Sequence, residues 1–272
     1  MQKSSKKHKK VLLIVSIVVA VLICHIAASF LYDNLAFVKS NNWRILGVIV
    51  KEVDAPFTHV TEGIIQIQTS MTEKHIQTAV ERFKDLEHFL NTYSNGQMTA
   101  KVDTITINIT LTNLSTCYLA PFVANEAFDL LESSQINWKN YDHIMIFSYL
   151  YVPASTGGYY ASPAGLFYGP QEGTFLSEVR FEVPNLDNSR FTNGMFPEDA
   201  LVHEFLHNLE SMSRHRKTIT ILDDARYESD VYSRDSFRFY IDFMNQNVPQ
   251  IDNTSRRIGL TPECYYNRKR KF

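Results

Sequence analysis

His203, Glu204 and His207 are residue types, at a spacing, that can hold a metal ion and do acid–base chemistry beside it. On a helix, positions four apart project from one face, so both imidazoles can close on a single Zn²⁺ at about 2.0–2.1 Å each. Glu204 adjoins the first of them, within reach of a water that such an ion would acidify, and a carboxylate there can serve as general base. The helix itself is legible around these residues. Pro197 stands where a first turn tolerates a missing N–H, and Glu198 and Asp199 follow at the positive end of the helix dipole. Leu201, Phe205, Leu209 and Met212 make a neighbouring apolar stripe that would bury the helix and hold it rigid. Glu210 shares the histidine face but lies about 10 Å along the axis from His203, which suits it to orienting an imidazole N–H rather than to coordination.

Other elements must position that helix. Ser70 and Glu73 match a capping box, and Ile76, Val80, Phe83, Leu86 and Leu90 follow at helical spacing until Asn95-Gly96 ends the run. His75 and His88 fall on the polar side of this helix and read as solvated. Ile105, Ile107, Ile109 and Leu111 alternate with polar residues, the period of a half-buried strand. Ile144-Met145-Ile146-Phe147 is a continuous apolar run, the pattern of a strand buried on both faces. Val179, Phe181 and Val183 alternate with Arg180 and Glu182, a further strand that stops at Pro184. Between these two strands, Gly157 to Pro170 reads as a loop rich in glycine and tyrosine. A helix, mixed strands and a second helix predict an α+β fold.

The residues His203, Glu204 and His207 resemble the signature of the zincin metallopeptidases, the superfamily built around an H-E-x-x-H helix. The stretch Tyr141–Glu210, a strand, a glycine-containing loop and then Val202-His203-Glu204-Phe205-Leu206-His207-Asn208, also looks like the run seen in the metzincin branch. The resemblance implies a zincin-like domain in which Zn²⁺ is the cofactor, Glu204 the general base and a peptide or protein the substrate. It further implies that the Val179–Val183 strand is the sheet edge beside the site, with which an extended peptide pairs.

Zinc normally takes three protein ligands and leaves one position open. The metzincin pattern wants glycine three residues after the second histidine and a ligand three beyond that, where this chain has Glu210 and Ser213. The gluzincin branch takes a glutamate from a second helix roughly twenty residues downstream. Glu228 lies 21 residues after His207, in a segment, Asp223 to Asp230, that reads as the start of the next helix. Glu228 is therefore the first candidate and Asp224 the alternative, with His215 and Asp223 behind them. The irregular third position keeps a second class open, a zincin-shaped binding or scaffolding module without turnover.

Composition bounds the remaining readings. The chain has 272 residues, 44% hydrophobic and 21% charged, the profile of a globular protein. Five lysines and no acid precede Asp33, and four basic residues occupy 268–271, which leaves 18 basic against 29 acidic side chains in 33–267. An acidic body disfavours nucleic acid as a partner. After the basic segment 1–10, residues 11–32 run without a formally charged side chain, about 33 Å as a helix, enough to cross a bilayer. Lysines retained in the cytoplasm would put 33–272, one domain's worth of chain, outside the cell membrane. A cleaved signal peptide, with Ala27, Ala28 and Ser29 near the cut, exports the body as well. Beyond Cys24 only Cys117 and Cys264 remain, open to one bridge or two free thiols. Asn108, Asn113 and Asn253 match the glycosylation acceptor pattern. Six tyrosines, Tyr159, Tyr160, Tyr168, Tyr227, Tyr232 and Tyr240, are potential donors to an oxyanion.

Overall fold

The structure, a computed structural model, describes residues 37–59, 62–117, 120–133, 136–150, 164–171, 174–181, 197–213, 232, 235–249 and 258–270. Strand β2 (Asn42–Val50) is an almost uninterrupted apolar run buried on both faces. Period-two geometry sorts that run, sending Leu46, Val48 and Val50 to one core and Ile45 and Ile49 to another. β5 (Thr99–Ile107) and β8 (His143–Tyr149) flank β2 in parallel, and β10 (Thr174–Phe181) continues the parallel set beyond β8. β9 (Ala164–Gln171) closes the sheet antiparallel to β10, giving the order β5-β2-β8-β10-β9.

Helices cover one face of this sheet. α1 (Glu73–Tyr93) lays Phe83, Leu86 and Leu90 on it, together with Leu201, Phe205 and Leu209 of α3 (Pro197–Ser213) and Phe239 and Phe243 of α4 (Ser236–Met244). The close approach of α1 requires Gly47, because a Cβ there would lie 2.8 Å from the Phe83 ring. The opposite face is covered by the antiparallel hairpin of β3 (Glu52–His59) and β4 (Gly63–Ser70) and by α2 (Ala124–Ser133). Buried Glu178 of β10 accepts the Val123 N–H at the start of α2 and the Ser148 hydroxyl, so its carboxyl group faces a helix N-terminus. The fold is mixed α/β, in keeping with the α+β class expected. β6 (Ser115–Cys117) and β7 (Ala120–Phe122) form a short hairpin, and the chain's last strand, β11 (Asn267–Arg270), pairs with β1 (Phe37–Ser40) in a separate two-stranded sheet.

Several local expectations change in the folded chain. The cap of α1 is Thr72, which accepts the His75 N–H, while the His75 ring accepts the Thr72 N–H in return. His75 is accordingly buried, whereas His88 is exposed as expected. β5 begins earlier than the alternation suggested and ends at Ile107; Ile109 is 61% exposed and Leu111 bridges to Val53 of the hairpin. The strand containing Val179 is interior, not the sheet edge, and ends its described length at Phe181. Among the described residues the edge is β9, part of the segment expected to be a loop; an edge position tolerates Pro170, which has no N–H to give a second neighbour. Cys264 is a free thiol buried in the core, so no bridge forms there. Among the described residues no helix is long and apolar enough to cross a membrane, and the candidate spanning segment 11–32 lies outside them.

Candidate metal centre

α3 is held against the sheet by apolar contacts and by one buried polar chain. Leu201, Phe205 and Leu209 are fully buried, and Phe205 meets the Trp43 ring edge-on at 5.6 Å. The His143 ring of β8 stacks on Phe205 with centroids 5.4 Å apart. Asn208 Nδ2 donates to His143 Nδ1 at 3.2 Å, which leaves the His143 Nε2–H to donate to Ser177 Oγ at 2.8 Å. Complete burial lowers the His143 pKa from 6.5 to about 3, so the ring is neutral and can play both parts. Asn208 follows His207 directly, about 100° further round the helix. With Asn208 turned to the sheet, the two histidines come to the half-buried rim.

There the imidazoles converge. His203 Nε2 and His207 Nε2 are 3.1 Å apart, their planes perpendicular. Ligand atoms of His203, Glu204 and His207 all lie within 4.8 Å of one another, with Glu204 buried to 4% exposure. Each ring is also gripped at its other nitrogen. His207 Nδ1 is 3.3 Å from a carboxylate oxygen of Glu210, itself buried, and His203 Nδ1 is 3.2 Å from the hydroxyl of Tyr240 on α4. Two nitrogens bound to one tetrahedral ion at 2.0–2.1 Å would be about 3.3 Å apart, so the observed separation fits a shared metal.

The residues expected to supply a third ligand, Glu228, Asp224, His215 and Asp223, lie outside the described residues, as do the side chains of Glu198, Asp199 and Met212. Of the tyrosines, Tyr232 donates to Asp242 at 3.0 Å, and burial raises its pKa; Tyr240 faces His203. The side chains of the other four lie outside the described residues. Sequence reasoning did not single out His143, Ser177 or Asn208. The available signal was a histidine opening an otherwise apolar strand and an asparagine on the buried side of the motif helix.

The chain matches no protein-family model and no curated protein sequence.

Proposed function

We propose that the protein is a zinc-dependent, zincin-like metallopeptidase whose catalytic body stands outside the cell membrane, anchored by residues 11–32. The observation that carries the reading is the pair of converging imidazole nitrogens 3.1 Å apart, with a buried carboxylate of the same helix alongside. His203 and His207 hold the ion, and a carboxylate from the following segment, Glu228 or Asp224, completes the set. When bound, zinc supplies Lewis-acid polarisation of the scissile carbonyl and lowers the pKa of a water toward about 7.

The chain's own residues do the rest. Glu204 takes the proton of the attacking water and passes it to the departing amine. Glu210 accepts from His207 Nδ1–H and keeps that ring's Nε2 turned inward. Edge strand β9 runs beside α3, and an extended peptide adds to it as a further strand, which brings its carbonyls toward the histidine face.

The experiment is zinc stoichiometry by elemental analysis combined with cleavage of an unfolded protein. One zinc per chain and chelator-sensitive cleavage support the enzyme. Zinc without cleavage assigns the chain to a binding module on the same scaffold, and a folded chain that takes up no zinc overturns the reading.

A further inference from the structure

The Tyr240 hydroxyl meets His203 at Nδ1, the ring nitrogen opposite the one that faces His207. It is not a mobile surface group. Tyr240 is 4% exposed and packs on Phe239, and its helix is fastened at several points. Asp235 caps the helix start by accepting the Arg238 N–H, Asp242 accepts from Tyr232, and Asn245 Nδ2 donates to the Tyr93 carbonyl of α1 at 2.9 Å. The hydroxyl is thus delivered to His203 by a rigid element that begins more than twenty residues after the motif helix ends.

Which partner donates decides what the histidine pair is. A carboxylate accepts, so the bond to Glu210 leaves a lone pair on His207 Nε2. If the Tyr240 hydroxyl donated to His203 Nδ1, His203 would carry its proton on Nε2 and spend it on a hydrogen bond to His207, with no need of a cation. If Tyr240 accepts from His203 Nδ1–H, the two Nε2 lone pairs face each other at 3.1 Å, an arrangement that is repulsive until a cation stands between them.

We propose that Tyr240 accepts from His203 Nδ1–H and is a positioning residue that fixes His203 as an Nε2 ligand, matching on the first histidine what Glu210 does on the second. The inference rests on the zinc reading above. It makes the site a joint product of α3 and α4, since one helix carries the ligand and the other sets its tautomer.

The test uses the full-length chain in detergent, titrated with zinc against a competing chelator, as wild type, Tyr240→Phe and Asp242→Asn. Tyr240→Phe keeps the ring and its packing but removes the acceptor; it should weaken zinc binding 10- to 100-fold. Asp242→Asn weakens the Tyr232 contact on the same helix without touching His203, and its zinc affinity should stay within about twofold of wild type. Nitrogen-15 resonances of the histidine rings in zinc-loaded wild type should show His203 coordinated through Nε2 and protonated at Nδ1. Unchanged affinity in Tyr240→Phe overturns the proposal while leaving the zinc reading intact, as does an equal loss in Asp242→Asn. Wild type that folds and binds no zinc overturns both. Should Tyr240→Phe not fold, the ring resonances of zinc-loaded wild type decide, and coordination of His203 through Nδ1, with the proton on Nε2, refutes the assignment.

Discussion

Asn208 of the motif helix and His143 of the central sheet are joined by a buried hydrogen bond of 3.2 Å, so the residue next to a candidate ligand is fastened to the scaffold. A neutral ring with an acceptor at Nδ1 and a donor at Nε2 is the group that can link Asn208 to Ser177. The link makes the rotation of α3 a property of the sheet.

Stability should therefore depend on pH through His143. Its folded pKa, about 3, lies below the unfolded 6.5, so the unfolded chain binds the extra proton between those values. The contribution is fully present above pH 6.5 and is lost as pH falls toward 3, by about 1.4 kcal/mol per unit. Urea unfolding at pH 7.5 and 5.5 should show wild type losing about 1.4 kcal/mol more than His143→Gln over that interval. Equal losses in the two proteins would mean that His143 protonates without penalty.

Glu204→Gln should retain zinc and lose hydrolysis, because the amide cannot accept the water's proton while both imidazoles are untouched. His203→Ala and His207→Ala should instead lose the metal. Residual cleavage by Glu204→Gln above a few per cent of wild type removes Glu204 from its role, and zinc content unaffected by either alanine makes the pairing of the histidines a coincidence.

For the third ligand, Glu228→Ala should cost zinc affinity steeply, since a two-histidine site then lacks a carboxylate to offset the ion's charge. Asp224→Ala should be mild. The reverse pattern, read by the same chelator competition, moves the ligand by one helical turn; zinc retained in both variants points to His215.

Gly47→Ala tests how α1 lies on the sheet. The added methyl would stand 2.8 Å from the fully buried Phe83 ring, which has the packed sheet on one side and its own helix on the other. A loss of about 1–3 kcal/mol is expected in denaturant unfolding. A neutral effect would mean that the ring can move aside.

Protease added to intact cells should reach the body of the protein, because the lysines of residues 1–10 precede the apolar segment and Asp33 follows it. A protected body would place 33–272 in the cytoplasm.

Much of this was legible in the sequence wherever the physics is local. The four-residue spacing of His203 and His207 with Glu204 between them, the apolar stripe Leu201, Phe205 and Leu209, and the start of the helix at Pro197 depend only on helical geometry within a few turns. The long helix ending near Asn95-Gly96 was legible for the same reason, since both residues have positive φ, and so was the doubly buried strand Ile144–Phe147. The cap of that helix was not legible: Ser70 with Glu73 fits the local pattern, but in the fold Ser70 is the last residue of β4, and Thr72 with His75 caps the helix instead.

Tertiary structure alone decided the rest. A one-dimensional pattern states that a strand alternates but not which strands lie beside it, so it took the sheet to make β10 interior and the glycine- and proline-containing β9 the edge. Tyr240 and His203 are 37 residues apart and His143 and Asn208 are 65 apart, separations at which no periodicity carries information. Both contacts exist because α3 and α4 bury apolar faces in the same core, which brings a hydroxyl to one side of the motif and a buried imidazole to the other.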